Sequence, residues 1–497
     1  MTLAYDATTL AQHIRNHQIT SLELIEQTLT KIESINPSLN AITHLRINEA
    51  FNEARYYDQK ASSRPFAGVP IVIKDLGQDL AGLAATSASR LFSHNIAKNT
   101  DNFVQAIIDA GFVILGNTNT PEFGFKNITD PTLFGPTYNP WNLDYYSGGS
   151  SGGAASALAA DLLSIVTASD GGGSIRIPAS FSGLIGLKPT RGRIPVGQNS
   201  WRGWQGASIS FGLTRSIQDT AQLLDCLQTY QPAAPFSTPI FELGFTNTFK
   251  HALSPRIKVA YSLKSPVKTI VSDDAINAVL EAVAFLNHHG IDTIEVDNPL
   301  DGIAMMESYY VINGGETAAM FNTIETTLGR KLTSADMELT TWAIYQAGLP
   351  LSAIDYSDTL ATWDRASFVM DNFLQEYDLF LTPTTATTAP KIKNQPLISS
   401  KTIEKMLHVT ELSKQARLDL VYEFFADSLA LTPFTQQANL TGQPAISLPT
   451  KIARNGLPLG IQFTARKGRE DLLLKIGYLF EREQQFKFLH PTMLKYI

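Results

Sequence analysis

Two glycine-serine runs constrain this chain more than any other feature. They read Gly148-Gly149-Ser150-Ser151-Gly152-Gly153 and Asp170-Gly171-Gly172-Gly173-Ser174-Ile175-Arg176. The apolar stretch 154–168 between them is broken by Asp161 and fits a helix running into a buried strand. The second run then sits at the C-terminal end of a strand, where open α/β sheets place ligands. Glycine tolerates positive φ and leaves consecutive N–H groups unobstructed. Gly171, Gly172 and Gly173 therefore suit a nest that stabilises an anion. The first run opens an apolar helix near Ser151, and a helix N-terminus also favours negative charge. A tight turn and a helix cap account for the two runs equally well when each is taken alone. Nucleotide phosphate fits less well, because neither Gly-Lys-Ser/Thr nor G-x-G-x-x-G occurs in either run.

A serine attacks a carbonyl only with help from a base. No histidine neighbours either run; the closest in sequence are His94 and His251. Lys74 ends the apolar run 69–73 and is the remaining candidate. Lysine acts as a base only when neutral, so its pKa of about 10.4 must be lowered by desolvation or neighbouring charge. Alone, Lys74 fits a solvent-facing strand end, with Asp75 pointing the other way by strand alternation. Together with the two serines it points to acyl transfer by a Ser-Ser-Lys arrangement.

The chain has 497 residues, 44% of them hydrophobic and 17% charged, and a formal net charge of −7. That balance indicates a globular protein and leaves no basic footprint for nucleic acid. The single cysteine, Cys226, excludes an intramolecular disulfide and fits a reducing cytoplasm. Its neighbours Leu223, Leu224 and Leu227 suggest a buried core residue rather than a reactive thiol. The N-terminus lacks the basic and apolar regions of a signal peptide. No apolar run reaches the ~18 residues of a membrane span. No metal or organic cofactor is expected, since acyl transfer by serine needs none and no ligand cluster stands out.

Residues 22–32 carry helical spacing behind a Thr20/Glu23 capping box, with Pro37 ending the run. A polar helix is expected over 48–59. Strands are expected at 69–73, 112–115 and 163–168, with helices at 102–110 and 151–160 between them. That alternation predicts an α/β fold with helices on both faces of a sheet. Beyond a connection at 231–239, strands are expected at 257–261, 294–296, 378–381, 445–448 and 460–463. Helices are expected at 274–289 and 470–483. A mostly helical, lid-like subregion is expected at 303–376.

Read together, Lys74 and the two runs resemble the amidase signature family. The similarity continues through Asn117-Thr118-Asn119-Thr120-Pro121-Glu122, Asn139-Pro140-Trp141-Asn142 and Gly183-Leu184-Ile185-Gly186-Leu187-Lys188-Pro189-Thr190-Arg191. It extends to Asn439-Leu440-Thr441-Gly442-Gln443-Pro444-Ala445 near the C-terminus. It spans nearly the whole chain and is weakest over 240–420. The resemblance implies one amidase-signature domain over 1–497, with a signature core at 60–230. It implies a large mixed β-sheet covered by helices on both faces. It also implies a Ser–cis-Ser–Lys triad, in which Ser174 is the nucleophile, Ser150 the bridge and Lys74 the base. The N–H groups of Gly171, Gly172, Gly173 and Ser174 would form the oxyanion hole. Asp170, Arg176 and Ser151 are expected to support the loop rather than to touch substrate. Phe123, Phe125, Phe134, Trp141, Tyr145 and Tyr146 are candidates for an acyl pocket or for core.

Residues 65–196 are most similar to bacterial amidases that include the 6-aminohexanoate cyclic-dimer hydrolases. The expected partner is therefore a small carboxamide or a linear or cyclic amide, with no nucleic acid and no membrane. A homodimer is compatible with this reading. One rival is the glutaminase (A) subunit of a tRNA-dependent amidotransferase, disfavoured by Arg191 where that subunit usually has tyrosine. The other is a non-catalytic binding protein on the same fold, disfavoured by the complete triad.

Overall fold

The computed structural model describes residues 6–490 apart from 252, 255, 395 and 396. The N-terminal reading at residues 1–5 lies outside the described residues. In chain order the strands are β1 (Ile42–Leu45), β2 (Pro70–Lys74), β3 (Val113–Thr118), β4 (Tyr138–Asn139), β5 (Asn142–Tyr146), β6 (Val166–Asp170) and β7 (Ile185–Lys188). They continue with β8 (Ile209–Thr214), β9 (Lys258–Tyr261), β10 (Asp292–Glu295), β11 (Leu379–Pro383), β12 (Ala445–Ile452) and β13 (Pro458–Ala465).

Eight strands form one mixed sheet in the order β10-β9-β11-β13-β12-β7-β8-β6. β9 runs parallel to β10 and β11, and the remaining pairs are antiparallel. β1, β3 and β2 form a separate three-stranded sheet. The strands expected at 69–73 and 112–115 therefore do not share a sheet with the one expected at 163–168. Apolar runs report that a strand is buried, not which strand lies beside it. β2 and β6 are buried along their whole length. Gln78 ties them together: its Oε1 accepts the Lys74 N–H at 2.9 Å and its Nε2 donates to Ala168 O at 2.9 Å.

The capping box at Thr20 and Glu23 is present, but the helix runs over Ser21–Leu39 and contains Pro37. A proline in the last turn forfeits only its own N–H bond, and Asn40 in the left-handed conformation ends the helix instead. The helix Gly152–Ala159 is made of small residues apart from Leu158 and is buried throughout. A Cβ on Gly153 would lie 2.4 Å from Asn119 N, and one on Gly152 would lie 2.3 Å from Thr129 Oγ1. Gly153 lets the helix pack against neighbouring backbone, and Gly152 against the Thr129 and Ser147 side chains. The helix Arg176–Ser182 starts directly after Ser174 and is closed by Gly183 at φ 68°.

The subregion expected at 303–376 consists of the helices Gly302–Leu328, Leu339–Gly348 and Ala353–Glu376. The first two cross closely, since a Cβ on Gly348 would lie 1.9 Å from Gly314 O. The helix Lys414–Leu431, which the sequence reading did not anticipate, packs Leu420, Val421, Phe424 and Phe425 into the same cluster as Met306 and Ile344. Cys226 is half-buried in the helix Ile217–Leu227, and burial pushes its thiol up to about 12. Among the described residues no helix is long and apolar enough to cross a membrane.

Candidate active site

β2 delivers Lys74 into the interior, where its side chain is fully buried. Nζ lies 2.7 Å from Ser150 Oγ and 3.0 Å from Ser169 Oγ. Burial lowers its pKa to about 7, against a smaller upward pull from Asp170. Desolvation penalises the ammonium, and two hydroxyls do not replace a counter-charge. In its neutral form Nζ carries a lone pair that can accept a proton from a neighbouring hydroxyl.

The Gly149–Ser150 peptide is cis. Gly148 has φ +94°, and a Cβ on Gly149 would lie 2.6 Å from Ile128 N, so neither position has room for a side chain. Ser151 joins the two motifs. Its Oγ donates to Ser169 O at 3.2 Å and accepts from Ser169 N at 3.3 Å. Its N–H donates to Ser174 O at 3.3 Å.

Ser174 opens on the same cavity as Ser150, flanked by Gly171 and Gly172. The peptide between Gly172 and Gly173 is clamped at both ends. Thr435 Oγ1 donates to Gly172 O at 2.7 Å, and Gly173 N–H donates to Asp170 Oδ1 at 2.7 Å. The Asp170 carboxylate thus takes the Gly173 N–H, one of the four donors expected for the oxyanion hole. Gly173 has φ +128°, and a Cβ there would lie 2.1 Å from Thr435 Oγ1.

Asp170 and Arg176 are both fully buried and pair through two bonds, Nε to Oδ2 and Nη2 to Oδ1, each 2.9 Å. Burial pushes Asp170 up, but the Arg176 charge and the hydrogen bonds outweigh it and hold the carboxyl at about 2. Arg176 also donates to Gln462 Oε1 and Asn439 Oδ1, each at 2.7 Å. Among the described residues that line the cavity, neither Asp170 nor Arg176 appears.

The cavity measures about 820 Å³. Phe123 and Phe125 line it, together with Phe92 and Trp204. The other aromatic candidates lie elsewhere. Phe134 packs edge-on against His44 with centroids 5.6 Å apart. Trp141 and Tyr145 join the cluster of Ile177 and Phe181, and Tyr146, the last residue of β5, is buried and pairs with Tyr138 of β4.

The family model described as Amidase matches residues 23–474. The chain belongs to the Amidase family. It is an amidase, a hydrolase of carbon–nitrogen bonds. It is 40% identical over 486 residues to a lipoamidase of Enterococcus faecalis, a match that takes in 97% of this chain and 63% of that protein. The chain thus spans less than two thirds of that relative's length. It is 32% identical over 507 residues to the 6-aminohexanoate-cyclic-dimer hydrolase of Paenarthrobacter ureafaciens, covering 98% of this chain and 97% of the other. A solved structure of 6-aminohexanoate cyclic dimer hydrolase complexed with substrate aligns at a TM-score of 0.88 and 31% identity, over 99% of both chains.

In this amidase three contact residues escaped the sequence reading. Ser169 touches Lys74, and its position directly before Asp170 was the only signal available. Thr435 orients the Gly172 carbonyl from a site shortly before the Asn439 motif. Tyr309 stands opposite the nest: its hydroxyl would lie 2.9 Å from a Cβ on Gly172. Nothing in a helical repeat distinguishes such a tyrosine from core.

Proposed function

We propose that this amidase cleaves a small carboxamide or a linear or cyclic amide through an acyl-enzyme on Ser174. Ser174 Oγ attacks the amide carbonyl carbon. Its proton passes to Ser150 Oγ as the Ser150 proton passes to Lys74 Nζ. The N–H groups of Gly171, Gly172 and Ser174 meet the oxyanion, with Gly173 left to Asp170. One such donor is typically worth roughly 3–4 kcal/mol of barrier. The relay then returns a proton through Ser150 to the leaving nitrogen as the C–N bond breaks. Water attacks the resulting ester, its proton travels to Lys74 by the same path, and Ser174 recovers a proton as the acid departs. Ser151, Asp170 and Arg176 hold the two loops in register.

The observation that carries this reading is Lys74, buried with no carboxylate partner among the described residues, lowered to about 7 and 2.7 Å from Ser150. The aromatic lining of the cavity suits an uncharged acyl chain. The relatives named as a lipoamidase and as a 6-aminohexanoate-cyclic-dimer hydrolase support an amide substrate of that kind. We read residues 1–497 as one unit, with a signature core at 60–230 and the helices of 303–376 as a cap, acting in the cytoplasm.

The test needs no knowledge of the natural substrate. The pure protein is treated with a fluorophosphonate and the adduct is mapped by mass spectrometry. A single adduct on Ser174, absent from Ser174→Ala, is expected. No adduct on folded protein would overturn the reading and favour a partner-dependent glutaminase subunit or a binding role.

A further inference from the structure

The helix Gly302–Leu328 forms one wall of the cavity, and two of its lining residues carry a polar atom with no hydrogen-bond partner among the described residues. They are Asn313 Oδ1 and Thr317 Oγ1. Both side chains are deeply buried, at 3% and 1% exposed. Buried polar atoms are nearly always paired, to protein or to water, so two atoms on one cavity wall without a protein partner are open to a ligand's polar group. Thr317 is the sharper case. Thr323, Thr326 and Thr327 of the same helix turn their hydroxyls back to the carbonyls of Ala319, Asn322 and Thr323. That bond is the usual refuge of a helical threonine. Thr317 makes no such bond.

Their place along the helix fixes their distance from the chemistry. Tyr309 on the same helix stands beside Gly172 in the nest. Asn313 and Thr317 follow it by four and eight residues, so all three share one helix face. With a rise of about 1.5 Å per residue, they lie about 6 and 12 Å farther along the axis. The close crossing at Gly314 and Gly348 holds this face in position.

We propose that Asn313 and Thr317 form a subsite for a second amide of an extended substrate, about 6–12 Å along the helix axis from Tyr309 beside the nest. The assignment rests on the amidase reading above. A secondary amide brings both an N–H and a C=O. The N–H meets the Asn313 oxygen, and the Thr317 hydroxyl donates to the carbonyl. A hydrocarbon arm of the same length leaves both groups unpaired and is discriminated against for that reason.

The test compares matched pairs of substrates. In one pair the acyl arm is either an N-acetyl-ω-aminoacyl chain or an alkanoyl chain of equal length, each as the p-nitroanilide. In the second pair the same change is made on the amine arm. In one of the pairs kcat/KM should favour the diamide by at least roughly tenfold. Thr317→Val and Asn313→Leu should each erase most of that ratio, and Thr317→Ser, which keeps the hydroxyl, should retain it. Equal rates in both pairs overturn the proposal, as does a ratio that survives Thr317→Val and Asn313→Leu. Ser174 labelling by fluorophosphonate, run in parallel on each protein, separates these outcomes from failure of the amidase reading. Labelling without any turnover of the diamides also counts against the subsite.

Discussion

In the unfolded chain Lys74 titrates at its ordinary value of 10.5, and in the folded protein at about 7. Between those values the unfolded state binds a proton that the folded state has released, so stability rises with pH. Lys74→Met removes this titration. The stability of that variant relative to the parent should be greatest near pH 7 and should shrink by about 1 kcal/mol per pH unit toward 10.5. Urea midpoints measured across this range give the slope. A pH-independent difference would mean that Lys74 is charged in the folded protein. In the proposed mechanism the same titration governs the chemistry. Turnover and Ser174 labelling should rise with pH through about 7, and Lys74→Met should lower turnover on the order of 10²–10⁴-fold. An acid optimum would remove Lys74 from the role of base. That Lys74, Ser150 and Ser174 come together was legible from an apolar run ending in lysine and two glycine-flanked serines. Ser169 was not, because its contact with Lys74 joins two strands of different sheets.

At the scale of an element, the informative unit is β6, the glycine loop and the helix Arg176–Ser182. The order strand, glycine nest, serine, helix could be read from the sequence. The direction of the peptide between Gly172 and Gly173 could not, because it depends on Thr435 and Asp170 clamping its two ends. Asp170 therefore shapes the nest while also neutralising Arg176. Replacing one partner of a buried pair leaves the other charge uncompensated, typically a loss of roughly 3–5 kcal/mol. Asp170→Asn should show a destabilisation of that order in denaturant unfolding, together with slower labelling of Ser174. A shift below about 1 kcal/mol would mean that Gln462 and Asn439 alone hold Arg176.

Across the whole molecule the cavity lies between a core that supplies Ser150, Gly171, Gly172 and Ser174 and a helical cap that supplies Tyr309, Asn313 and Thr317. The core half was legible because its glycines and serines have few alternative uses. The cap half read only as helical, because residues facing a cavity and residues facing a core produce the same apolar periodicity. Within the cap two helices approach closely at Gly314 and Gly348, where a Cβ on Gly348 would fall 1.9 Å from Gly314 O. Gly348→Ala must push the two helices apart, and overpacking of this kind typically costs about 1–3 kcal/mol. The displacement moves the wall that carries Asn313 while leaving the β2 and β6 ends in place. KM for an extended amide should therefore rise clearly, with Ser174 labelling by a small fluorophosphonate changed less than about threefold, a shift below 1 kcal/mol. If labelling falls in step with KM, the cap also sets the geometry of Lys74, Ser150 and Ser174. The division of labour between a chemical core and a substrate-holding cap would then be wrong.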